Sequence, residues 1–196
     1  MAHSDSIELQ SLLERAGGLT EAGHHGEAAE LYSDLCRNHP ENIDAWIGLA
    51  VALLRQQRFL ECVEAAASAL ALDSSQPRPY LIAAAALTHM GRHDNALRAV
   101  DAALALTPDD PKALNSKASV LLNLGRFAEA LPLLERALRI EPTNSLASLN
   151  RGIVLYRLDQ PRAALDAFDQ LLAIEPRHSD ALINRSSVLV ALKRPE

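Results

Sequence analysis

Aromatic residues make up only 4% of this 196-residue chain, with one tryptophan, three tyrosines and three phenylalanines. That poverty argues against a β-rich core, because strands favour aromatic and β-branched side chains. The 48% of hydrophobic residues is carried instead by Ala and Leu, strong helix formers, so an all-α protein is expected. Cysteine is nearly absent. Cys36 and Cys62 make no disulfide framework and lack metal-ligand or nucleophile spacing, so both are expected as buried thiols in a reducing compartment. No run approaches about 18 uninterrupted apolar residues, which argues against a membrane span. The N-terminal Met-Ala-His-Ser-Asp-Ser lacks the basic and apolar regions of a cleaved signal, so the expected location is cytoplasmic. No basic block accompanies the net charge of −6, which argues against a nucleic-acid partner. No Gly/Ser linker or composition break divides the chain, so residues 1–196 are expected to form one domain.

What is present is a period. Pro108, Pro142 and Pro176 are spaced by 34, and the same step leads back to Ser74 and Pro40. With each proline at repeat position 32, repeats start near residues 9, 43, 77, 111 and 145, and a sixth begins at Ser179. Position 20 holds Ala28, Cys62, Ala96, Ala130 and Ala164, small residues where two helices cross closely. Position 15 holds Gly23, Gln57, Gly91, Gly125 and Asp159, where glycine would supply the positive φ that ends a helix. A period of this length with these markers denotes a helix-turn-helix repeat that buries its apolar face only against its neighbours.

These residues resemble the tetratricopeptide repeat family, with Trp46 and Ala50 in repeat 2, Ala28, Tyr32 and Pro40 in repeat 1, and Gly152, Ala164, Phe168 and Pro176 in repeat 5. The departures are Leu12 and Ser148 at position 4 and Ser74 at position 32. The resemblance implies a right-handed α-solenoid of stacked antiparallel hairpins, five repeats plus one terminal helix and about eleven helices in all. The expected helices run 6–21 and 25–38, then in pairs from near 42, 76, 110 and 144, ending with a lone helix 178–193. Asp109 or Asp110, and Thr143 or Asn144, are expected caps, and Pro132 is expected inside a second helix, within its first turn or so, where a missing N–H costs little, with a mild kink at most.

The resemblance also implies function. Members of this family are interaction scaffolds whose first helices line a concave groove through positions 2, 5, 6, 9, 12 and 13. Here those positions offer Asp44, Gly48, Val51 and Arg78 in the N-terminal half, and Lys112, Asn115, Ser116, Ser119, Asn150, Asn184 and Ser187 in the C-terminal half. Asn150 and Asn184 share position 6, similar to the asparagine ladder of O-linked N-acetylglucosamine transferases, which would hold an extended backbone. The carboxylate clamp of chaperone-binding members is not reproduced, because its cations are missing around Asn115, Ser119, Asn150, Asp180 and Asn184. The expectation is therefore a scaffold that binds a protein or peptide, with no catalytic residues, cofactor or metal. Alternatives are a substrate-recognition arm of a larger enzyme such as a glycosyltransferase, and a self-assembling scaffold.

Position 7 carries Lys117, Arg151 and Arg185 in the last three repeats. Sixteen residues before each stands a carboxylate, Asp101, Glu135 and Asp169, and the uncharged cases match as well, with Ala67 before Ala83 and Ser33 before Leu49. Three structural ion pairs between neighbouring repeats are expected, each contributing about 0 to 1 kcal/mol. His89 and His93 flank the turn at Gly91 and are not expected to share a metal, and His25 and His93 occupy position 17, a packing site. The chain stops at Lys193, Arg194, Pro195 and Glu196, where a second helix of repeat 6 is due. The final helix carries Leu182, Val188, Leu189, Val190 and Leu192, so a fragment of a longer protein is expected, with this face covered by further repeats, another copy or a neighbouring groove.

Overall fold

The structure, a computed structural model, describes residues 2–192, with side chains from residue 7 onward. The described residues form eleven α-helices and no strand. They are α1 (Ala2–Glu21), α2 (His25–Asn38), α3 (Ile43–Arg55), α4 (Phe59–Leu72), α5 (Pro77–His89), α6 (His93–Leu106), α7 (Pro111–Asn123), α8 (Phe127–Ile140), α9 (Ser145–Arg157), α10 (Pro161–Ile174) and α11 (Ser179–Leu192). Residues 193–196, onto which the repeat alignment also ran, lie outside the described residues.

The helices cluster into two compact units, one holding α1–α6 and the other α7–α11. In the first unit each helix packs on the next in sequence, and the first helices α1, α3 and α5 also touch in series. In the second unit α7 packs on α8, α8 on α9, α9 on α10 and α10 on α11, while α7, α9 and α11 form the first-helix series. Stacked hairpins are the result, because an isolated hairpin leaves one apolar face open and the next repeat covers it.

Local chemistry fixes the hairpins. All five residues at position 15 have positive φ: Gly23 at 83°, Gln57 at 61°, Gly91 at 71°, Gly125 at 73° and Asp159 at 59°. The left-handed turn lets the following amide reach back to a leucine carbonyl at position 11, as in His24 N–H to Leu19 O at 2.9 Å and Arg58 N–H to Leu53 O at 3.0 Å. The same bond recurs from Arg92 to Leu87, Arg126 to Leu121 and Gln160 to Leu155. Such a bond satisfies a carbonyl that the helix end would otherwise orphan. First helices start on side-chain caps where the chain offers one: Asn42 accepts from Ala45 N–H at 2.9 Å, Asp110 from Lys112 N–H at 3.0 Å and Asn144 from Ala147 N–H at 3.0 Å.

The close crossing inside each hairpin explains the alanines. Ala28, Cys62, Ala96, Ala130 and Ala164 are all completely buried. Where position 8 is glycine, the second helix contributes an aromatic: Phe168 is completely buried, and a Cβ built on Gly152 would lie 2.4 Å from its Cε1 atom. One expectation needs correction. Pro132 is the sixth residue of α8, past the first turn, so it forgoes a hydrogen bond that the helix interior would otherwise make.

Candidate functional site

Two surfaces bring sequence-predicted groove residues together, one in each unit. In the first unit α1, α3 and α5 enclose a pocket of about 270 Å³ lined by Gln10, Leu13, Glu14, Tyr32, Asp44, Ile47, Gly48 and Arg78. Of the groove residues expected in this half, Arg78 on α5 and Asp44 and Gly48 on α3 line this pocket, and Val51 does not. Tyr32 forms part of its wall, and burial pushes its phenol above the ordinary range, partly offset by a hydrogen bond with Thr20 and by the charge of Arg78. Gly48 admits that ring. A Cβ at 48 would come within 2.3 Å of Tyr32 Cε1 and Cζ, so the aromatic at position 24 reaches the pocket only because position 6 of the next repeat has no side chain. In the sequence Tyr32 stands only as a marker of the repeat, and its place in the pocket wall emerges from the structure. Gln10 and Glu14, one turn apart on α1, also line the pocket, at positions 2 and 6 of the first repeat.

In the second unit the polar residues lie on α7, α9 and α11. Asn150 Nδ2 donates to Asn115 Oδ1 at 2.9 Å, joining α9 to α7. Each amide has donors and an acceptor, so a single mutual bond leaves both kinds of group on the pair available to a ligand. The remaining rungs turn inward on their own helices: Ser116 Oγ donates to Lys112 O at 2.8 Å, Asn184 Nδ2 to Asp180 O at 2.8 Å, and Ser187 Oγ to Ile183 O at 3.0 Å. Ser119 is half-buried on α7, and Lys112 is exposed at its start. Ser187 also borders an open depression of about 660 Å³ with Tyr156, Leu182, Ile183, Ser186, Val190 and Ala191. The asparagines at position 6 are thus not equivalent: Asn150 has a neighbouring amide at position 5 of the previous repeat, whereas Asn184 does not, since that place falls on Leu149.

The charged residues at position 7 follow geometry as well as sequence. Arg185 Nε lies 2.5 Å from Asp169 Oδ1, linking α11 to α10. Arg151 takes a different partner from the one assigned to it by spacing: its Nη2 donates to Gln170 Oε1 at 2.7 Å, on α10 of its own repeat, in place of Glu135 on α8. Helix α9 packs on both α8 and α10, and Arg151 is half-buried, its Nε buried without a hydrogen-bond partner while its Nη2 reaches Gln170. Asp101 lies on α6 of the first unit and Lys117 on α7 of the second.

His89 stacks on an aromatic ring, His25 and His93 each bury an Nδ1 that has no hydrogen-bond partner, and both cysteines are buried. Phe59 stacks on His89 with ring centroids 4.9 Å apart and planes 6° from parallel, and Phe127 carries the guanidinium of Arg157 5.9 Å above its ring. Both contacts join position 17 of one repeat to position 13 of the next, a relationship that spacing alone did not expose. Cys36 and Cys62 are free and buried, and burial pushes their thiols up to about 12 and about 11. Among the described residues no group of three or more His, Cys, Asp or Glu side chains is placed to hold a metal ion, and no helix is long and apolar enough to cross a membrane.

Tetratricopeptide repeat models match residues 13–77, 83–145 and 121–182. No curated protein matches the sequence. Among solved structures, TTC0263, a thermophilic TPR protein of Thermus thermophilus, is 18% identical with a TM-score of 0.81, covering 93% of this chain and 99% of its own. YrrB, described as a TPR protein with an unusual peptide-binding site, is 19% identical with a TM-score of 0.68, covering 95% of this chain and 98% of its own. Residues 41 to the end of MamA from Desulfovibrio magneticus RS-1 are 15% identical with a TM-score of 0.72, covering 87% and 97%.

Proposed function

The chain belongs to the tetratricopeptide repeat family, and from that premise we propose that it is a non-catalytic interaction scaffold that holds an extended peptide segment of a protein partner on its first helices. The observation that carries this reading is the Asn150–Asn115 amide pair, which bridges two first helices and keeps donor and acceptor capacity for a peptide backbone. Lys112, Ser116 and Ser119 on α7, and Asn184 and Ser187 on α11, supply further polar contacts along the same series of helices. Arg78 does the corresponding work in the first unit, where it lines the pocket with Tyr32. YrrB is a precedent for peptide binding on this fold. Two free, buried cysteines are in keeping with a reducing cytoplasmic compartment.

An array of extended peptides identifies ligands, and affinity is then measured by calorimetry. Asn115→Ala with Asn150→Ala should weaken binding by about tenfold or more while leaving the helical circular dichroism unchanged. Unchanged affinity rejects the site.

A second reading, self-association, is favoured by α11, whose Leu182, Ile183, Val190 and Leu192 are 44–63% exposed. Sedimentation that shows a monomer at high concentration counts against it.

A further inference from the structure

The slot filled by Arg151 in the second unit has an open counterpart in the first. In repeat 5, Arg151 at position 7 of the first helix reaches Gln170 at position 26 of the second helix, with Glu135 at position 25 of the preceding one. The same three positions around α3 hold Leu49, Ser68 and Ser33. Leucine is too short to cross the slot, and both polar partners are shortened to serine. What remains between α2 and α4 is a groove of about 680 Å³ that all three of these residues line.

Its walls carry an excess of negative charge. Four carboxylates and two guanidinium groups line the groove. The two guanidiniums are already committed, since Arg58 binds Glu61 through two bonds of 2.8 and 2.6 Å and Arg37 lies 3.1 Å from Asp34. Glu30 on α2 and Glu64 on α4, both at position 22, have no ion-pair partner among the described residues. The floor is apolar: Leu49 and Leu53 are 9% and 3% exposed, and Trp46 is held by its Nε1 donating to Pro40 O at 2.8 Å. An aliphatic stem ending in a delocalised cation suits such a floor and wall, because the stem packs on Leu49 and the indole while the head meets the carboxylates.

We propose that this groove between α2 and α4 is a second docking site, on the opposite side of α3 from the Arg78 pocket, and that it takes an arginine side chain of a partner protein. The inserted guanidinium occupies the position that Arg151 fills from within the chain in repeat 5. Trp46, Leu49 and Leu53 are spaced to share one face of α3, whereas Asp44, Ile47 and Gly48 face the other pocket. The site is therefore independent of the first-helix surface proposed for peptide binding.

Trp46 is the single tryptophan of the chain and reports on the groove directly. The probe is the peptide acetyl-Leu-Arg-Leu-Arg-Leu-amide, with acetyl-Leu-Glu-Leu-Glu-Leu-amide as the charge-reversed control, followed by tryptophan emission and calorimetry. The arginine peptide should give a saturable change that added salt weakens, and the glutamate peptide none. Glu30→Gln with Glu64→Gln, two wall substitutions, should weaken binding about tenfold. Leu49→Arg should abolish it by supplying the missing cation from within, and the exposed-glutamate pair carries the test if that core variant does not fold. Asn115→Ala with Asn150→Ala should leave binding unchanged. No response to the arginine peptide, equal affinity for the glutamate peptide, indifference to the Glu30/Glu64 substitutions, or loss through the asparagine pair would each overturn the proposal.

Discussion

Gly152 and Phe168 occupy each other's space: the phenyl ring is completely buried, and any Cβ on residue 152 would sit 2.4 Å from Cε1 and 2.6 Å from Cζ. Helices α9 and α10 approach closely at this point because one side has no side chain and the other has the bulk of both. Gly152→Ala should therefore destabilise the protein by about 1–3 kcal/mol through overpacking, although alanine is the better helix former. Phe168→Leu added to Gly152→Ala should recover part of that loss. Urea unfolding of the single and double variants measures both, and a neutral Gly152→Ala would show that the ring moves freely.

The hairpin turns give a paired prediction. Gln57 and Asp159 adopt the positive φ that glycine takes in the other three repeats. A left-handed conformation is costlier for glutamine than for aspartate, whose short polar side chain tolerates it. Gln57→Gly should raise stability by about 0.5–1 kcal/mol and Asp159→Gly by less, while Gly91→Ala should lower it by about 1 kcal/mol. Thermal melts of the three variants test the order.

For the charged ladder, a double-mutant cycle on Asp169 and Arg185 should return a coupling of about 0–1 kcal/mol, because both side chains remain substantially exposed to water. Cycles on Arg151 should show coupling to Gln170 and close to none to Glu135. Coupling to Glu135 as large as that to Gln170 would contradict the observed geometry.

Burial raises both thiols, Cys36 to about 12 and Cys62 to about 11. In the unfolded chain a thiol ionises near its ordinary pKa of roughly 8.5, so above that pH the unfolded state holds fewer protons than the folded one. The contribution of these cysteines to stability is thus complete below about pH 8.5 and falls as pH rises from there towards the folded values. Replacing both with alanine should flatten the decline in stability between about pH 8.5 and 10.5, read by urea titration. A thiol-reactive dye at pH 8 should label the native protein slowly and the urea-unfolded protein at once.

Much of this was legible in the primary sequence because it is carried by spacing. The 34-residue step of the prolines, the alanines of position 20 and the turn residues of position 15 each report a local requirement that recurs in every repeat. Starts such as Asp110 and Asn144 were readable for the same reason, since a cap bonds two or three residues ahead.

Side-chain partnership was legible only where geometry leaves a single choice. Asp169 and Arg185 meet at the expected spacing, but Arg151, set between two second helices, takes Gln170. Asn150 and Asn184 look alike in the repeat frame, yet one bonds an amide across to α7 and the other bonds its own helix. By itself the sequence determined the repeat, the hairpins and their turns, because these depend on backbone conformation and near neighbours. The tertiary structure alone decided which polar groups pair and which grooves stay open, because a long side chain between two helices selects its partner by reach and packing, which the repeat frame does not encode.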